Sequence, residues 1–152
     1  MNRQGHTVSV SKRARYEITT RTKEYLPNET GGILLGYKED DRFVVTDALT
    51  VVTVTPARTT YIRDDIAANV LLQRELANRP AEDPVGYIGE WHSHPRPCVP
   101  SAVDIAALKS IVKRSHTRVI LVIYAPDSGF QCLVAERGKM GRVRLGEAEL
   151  ID

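Results

Sequence analysis

Hydrophobic and polar positions alternate along this chain with two periods, and the change from one to the other marks out its elements. Val10 to Leu26 is a weakly amphipathic helix by spacing, with Ser11 as its candidate N-cap and Ala14, Ile18 and Tyr25 on the inner side. Pro27-Asn28 ends it, because proline cannot continue a helix and pushes the residue before it out of the α region. Ile33 to Tyr37 is the first predicted strand. Lys38-Glu39-Asp40-Asp41 is a polar turn, and Phe43 to Thr46 and Leu49 to Val54 are strands rich in β-branched residues. Thr55-Pro56-Ala57 breaks the pattern. Ile62, Ile66 and Val70 then recur every fourth residue, with Leu72 and Leu76 close by, which predicts a helix from Ile62 to Asn78.

After a short loop from Pro80 to Pro84, Val85 to Trp91 is a buried strand in which Trp91 is a core residue. Ser101 opens a helix whose apolar positions Ile105, Leu108, Ile111 and Val112 share one face. Arg118 to Tyr124 is a continuous apolar run and is expected to be central in the sheet. Asp127-Ser128-Gly129 turns the chain into Phe130 to Ala135, and Arg142 to Leu145 is a last alternating strand. Helices and strands in this order predict a mixed α/β domain with a largely antiparallel or mixed sheet. With 152 residues and neither repeat nor linker, one domain spanning 1–152 is expected.

Composition narrows the function classes. A net charge of +2 is too small to argue for a nucleic-acid partner. The basic residues of the first third (Arg3, Lys12, Arg13, Arg15, Arg21 and Lys23) are taken as a solvated helix face. MNRQGHTVSV lacks the apolar core of a signal peptide, and no apolar run approaches the ~18 residues of a membrane span, so no membrane role and a cytoplasmic setting are expected. The two cysteines, Cys98 and Cys132, make no disulfide framework, and neither has a second thiol at metal-ligand spacing. Cys98 is taken as a reduced bystander in the loop after the histidines.

The candidate chemistry lies in GYIGEWHSHPRPCVPSAVD, Gly86 to Asp104. On an extended backbone His92 and His94 point to the same face, and Asp104 falls in the first turn of the next helix. Two imidazoles and a carboxylate are a common ligand set for catalytic zinc, which leaves the fourth position to water. A structural alternative accounts for the same residues. Ser101 and Asp104 have the spacing of a helix capping box, and the histidines are then surface polar groups.

A wider pattern bears on that choice. HSHP (His92 to Pro95), then Ser101-x-x-Asp104, with Glu29-Thr-Gly-Gly32-Ile-Leu34-Leu-Gly36 upstream, resembles the JAMM (JAB/MPN) family of zinc-dependent isopeptidases. The resemblance implies an α/β (α+β) fold: an MPN/JAB-like mixed, largely antiparallel sheet flanked by helices, with cytidine-deaminase-like layering. It implies His92, His94 and Asp104 as ligands of one Zn2+, Glu29 as general acid/base and Ser101 as a transition-state hydrogen-bond donor. The spacer Pro95 to Val103 is one residue shorter than the family's usual one. The implied activity is a zinc metalloprotease acting on an isopeptide or C-terminal peptide bond of a ubiquitin-like modifier. The short bacterial members it resembles imply E1- and E2-like partners of the same operon, some in anti-phage defence. A non-catalytic MPN-type binding scaffold is the alternative. A nucleobase deaminase is disfavoured by the lack of H-x-E with P-C-x-x-C, and a thermolysin-like protease by the lack of H-E-x-x-H.

Overall fold

The computed structural model describes residues 5–52, 63–95, 102–115, 118–138 and 142–151, apart from the side chains of 102–104 and 114–115. Along them run β1 (Thr7–Val10), α1 (Lys12–Tyr25), β2 (Gly31–Glu39), β3 (Arg42–Thr50), α2 (Asp65–Ala77) and β4 (Gly86–Ser93). Then follow α3 (Ala102–Ser115), β5 (Val119–Ala125), β6 (Gly129–Arg137), β7 (Val143–Glu147) and β8 (Glu149–Ile151). The strands form one mixed, mostly antiparallel sheet in the order β7-β6-β5-β4-β2-β3-β1-β8. Parallel pairing occurs between β4 and β5 and between β1 and both its neighbours. Ala148 N–H donates to Cys132 O at 3.0 Å, which brings the β7–β8 junction against β6 and curls the sheet like a barrel.

α1 fills the inside of that curl. Ser11 caps it, its Oγ accepting from Ala14 N–H at 3.1 Å and donating to Thr46 O at 2.6 Å. Ala14 and Ile18 then meet Val8, Leu34, Phe43, Val45, Trp91, Ile120 and Val122 in a continuous apolar core. Fully burying a side chain of this size contributes about 1.5–3 kcal/mol, so this face carries much of the fold's stability. The buried stripe ends on Thr22 rather than Tyr25. Thr22 satisfies its hydroxyl by donating to Ile18 O at 2.7 Å, while Tyr25 is half-buried.

The outer face is covered by two helices held in different ways. α3 sets Leu108 and Val112 on Val119, Leu121, Ile123 and Ala135. α2 forms where the apolar recurrence predicts a helix, but Ile66 and Val70 turn outward, 79% and 51% exposed. Ala68 is its buried residue, against Ile33 and Val51, with Leu71 and Leu72 half-buried there. Capping and charge hold its ends. Asp64 Oδ1 accepts from Ala67 N–H at 3.0 Å, and Arg79 reaches Asp47 at 3.0 Å and Asp83 at 3.4 Å.

The sheet differs from the sequence expectation in three places. β1 and β8 are short strands of few residues, and no alternation long enough to reveal them exists in the sequence. The strand expected from Phe43 and the start of the one expected from Leu49 form a single β3 ending at Thr50, with a register shift against β2 near Thr46, so one bulge imitates a break. Residues 53–62, including Thr55-Pro56-Ala57 and Ile62, lie outside the described residues. The polar turn is present, with Asp40 in the left-handed region at φ 51°. Of the basic residues of α1, Arg21 pairs with Glu17 and Glu24 on the same helix, and Arg13 with Asp47 of β3.

Candidate functional site

β4 is central, between β2 and β5, and it is not a regular strand. Leu34 pairs with Gly89 and Leu35 with Tyr87, so β4 has one residue more than β2 at Ile88. This bulge resets the alternation. Ile88 and Trp91 face the α1 core. Tyr87 packs on the opposite side, beneath α2 and α3. Glu90 and His92 stand beside Leu121 and Ile123 of β5, on that same outer side. In a regular strand residues 87 and 90 would face opposite ways. Here the Tyr87 hydroxyl donates to Glu90 Oε1 at 3.1 Å.

The two ends of the sequence motif meet through Ser93, the residue between the histidines. Its backbone N–H donates to Thr30 O at 2.8 Å, and its Oγ accepts from Thr30 N–H at 2.9 Å. Thr30 is therefore sewn to β4, and Glu29 is carried to the histidines with it. Glu29 Oε1 lies 4.0 Å from His94 Nε2, with the two side chains 8% and 3% exposed. His94 is fixed in turn by its N–H donating to Tyr124 O at 2.8 Å. Gly31 pairs with His92 and puts no side chain beside it. Gly32 is required for packing: a Cβ there would stand 1.7 Å from Leu49 O and 2.9 Å from the Trp91 indole nitrogen. That nitrogen donates to Leu49 O at 3.1 Å, and Trp91 is the core residue its sequence context suggests.

The structure thus brings Glu29 to His94, with His92 two residues earlier in the chain, and all three are buried. Asp104 lies in the first turn of α3, and its side chain is not among those described. Ser101 and Cys98 also fall outside the described residues. Among the described residues no group of three or more His, Cys, Asp or Glu is gathered as a metal site. Cys132 is a free buried thiol, and burial pushes it up to about 12.

Two features of the site were not anticipated. Ser93 looked like a spacer because its role depends on a partner 63 residues away. Glu90 is the other: its carboxylate is buried and accepts from Tyr87 and from Arg63, which precedes α2. Beside this group, between α2 and α3, a cavity of about 350 Å³ is lined by Ile33, Ala68, Leu72, Tyr87, Ile111 and Arg63.

A curled mixed sheet with one helix inside, two outside and a glutamate delivered to a His-x-His strand end defines a JAB-type α/β domain. The chain belongs to the prokaryotic homologs of the JAB domain (Prok-JAB), which it matches over residues 11–136. It is 29% identical over 130 residues to a protein of Enterobacter hormaechei named a CD-NTase/cGAS isopeptidase, covering 84% of this chain and 63% of that one. The chain therefore spans less than two thirds of the length of that curated relative. The solution structure of a Desulfitobacterium hafniense protein has the same fold, with a TM-score of 0.64 at 21% identity over 95% of this chain and 92% of the other. No helix among the described residues is long and apolar enough to cross a membrane.

Proposed function

We propose that residues 1–152 act as one zinc-dependent JAMM metalloprotease domain that hydrolyses an isopeptide or C-terminal peptide bond of a ubiquitin-like modifier. The observation that carries this reading is the buried Glu29 carboxylate 4.0 Å from His94, delivered there from outside the His-x-His motif. The donor chemistry fits zinc: His92 and His94 offer imidazole nitrogens from a buried strand end, and Asp104 is the carboxylate on the neighbouring helix. Bound by these three, zinc supplies Lewis-acid polarisation of an amide carbonyl and acidifies water.

The chain's own residues do the rest. Glu29 takes the proton of the attacking water and passes it to the leaving amine, a role worth roughly 10²- to 10⁴-fold. Its burial excludes bulk water, and the Ser93–Thr30 bonds fix its backbone so that little reorganisation is needed. Ser101 donates a hydrogen bond to the oxygen that gains charge, a contact worth about 2.7–4 kcal/mol when preorganised. The name of the relative, CD-NTase/cGAS isopeptidase, supports a CD-NTase conjugate as the substrate, and the proposal includes an anti-phage setting with E1- and E2-like partners.

The test is cleavage of a bacterial ubiquitin-like protein fused or conjugated at its C-terminus, with and without chelator. Purified protein is expected to hold about one zinc per chain. Cleavage should stop on chelation and return with zinc, and His92→Ala should lose most of the metal. Native protein that takes up no zinc overturns the reading.

A further inference from the structure

The bulge at Ile88 decides which face of β4 carries the histidines, and three side chains hold it from the outer side. Tyr87, before the bulge, and Glu90, after it, are tied by the 3.1 Å hydrogen bond that only the bulge permits. The Arg63 guanidinium donates through Nη1 to the same Glu90 oxygen and through Nε and Nη2 to Asp65 Oδ1 at 3.0 and 2.8 Å. Burial pushes the Tyr87 phenol well up from its ordinary value, with the Glu90 charge adding to the effect, so the hydroxyl stays a donor. Glu90 is 5% exposed and lies two residues before His92 on the same face.

We infer that Arg63, Glu90 and Tyr87 form a positioning network that pins the β4 bulge and thereby sets the direction in which His92 and His94 leave the strand. Bulges near active sites re-aim side chains in this way, and the Arg63 guanidinium, held by Asp65 through two N–H groups, presents a third in a fixed direction to Glu90. The network also ties the start of α2 to the strand of the site. The inference rests on the proposed role of the histidines, but its test does not.

The test compares Arg63→Met, Arg63→Lys and Glu90→Gln with Arg79→Met. Arg79 anchors the other end of α2 through Asp47 and Asp83, neither of which lies on β4, so Arg79→Met controls for loosening the helix. In metal-free protein, the side-chain NMR resonances of His92 and His94 should shift or broaden in Arg63→Met and Glu90→Gln and stay in place in Arg79→Met. Arg63→Lys keeps the charge but not the fork and should recover part of the wild-type spectrum. With zinc, the first two variants should bind about 10- to 100-fold more weakly, the loss usual for groups that orient metal ligands. Their kcat should fall with KM nearly unchanged. If Arg63→Met lowers the melting temperature as Arg79→Met does and leaves the imidazole signals and zinc affinity unmoved, the network is a helix anchor only and the inference fails. If Arg63→Met does not fold, Glu90→Gln and Arg63→Lys decide by the same signals. A wild type without zinc uptake would sink the proposed function, while the metal-free spectra would still decide this inference.

Discussion

The two faces of β4 do different work. On the α1 side, Ile88 and Trp91 join an apolar core with Ala14, Ile18, Leu34 and Val122 that has few polar groups to satisfy. On the other side, the same strand presents Tyr87, Glu90 and His92, with Glu29 and His94 at its end. Glu29, Glu90, His92 and His94 are buried as well and Tyr87 is half-buried, and their burial costs free energy unless each is paired. Under the proposed function, the chemistry falls on the outer face of β4 and the α1 core on the inner, and a single inserted residue passes the strand from one regime to the other. The outer helices follow the same division: α3 is seated by Leu108 and Val112, whereas α2 is held mainly at its ends.

This contrast is open to direct challenge. The largest expected effect on the fold is from Trp91→Ala, which empties the inner face beside α1 and leaves Leu49 O without its donor. It should cost about 3–5 kcal/mol, read from the denaturant midpoint at constant slope. A loss below about 1 kcal/mol would show that stability does not reside there. Glu29→Gln should do the opposite. Folding and zinc content stay near wild type while cleavage falls at least about 10²-fold, and the inactive protein still binds its conjugate. Activity within a few-fold of wild type removes Glu29 from the site.

Ser93→Ala tests the seam between the two faces. It strips the buried Thr30 N–H of its acceptor at a cost of about 1–3 kcal/mol. It should also lower kcat by roughly tenfold, because Glu29 is no longer held in register. Unchanged kcat with lowered stability would make Ser93 a structural residue only. Ser101→Ala separates a transition-state donor from a helix cap: the first lowers kcat at constant melting temperature, and the second costs roughly 0.5–2 kcal/mol with kcat intact. The smallest effect is expected at Ile66. Its exposed side chain contributes nothing to the core, so Ile66→Gln should change stability by no more than about 0.5 kcal/mol. A larger loss would mean that α2 is seated by that face after all.

Much was legible in the sequence because it depends on neighbours in the chain. Ser11 as a cap, the stop at Pro27, the run from Arg118 to Tyr124 and the helix through Leu108 and Val112 follow from local periodicity and backbone chemistry. The spacing of His92 and His94 is local too. Glu29 was legible only through the resemblance of its surroundings to a family pattern, since no local rule links it to a strand 63 residues away. Where helix α2 forms was clear, but which way it faces was not, because apolar residues lie all round it and its sheet contacts choose among them.

Periodicity and capping indicated most of the helices and strands, though not β1 or β8, and the resemblance to a family pattern singled out Glu29, His92, His94, Ser101 and Asp104. Tertiary structure alone decided that Ser93 joins Thr30, that Glu90 joins Arg63 and Tyr87, and that β4 changes phase at Ile88. The physical reason is that a bulge has no composition of its own. It exists only when β2, with one residue fewer, lies alongside, and the side chains it re-aims find their partners on elements distant in sequence.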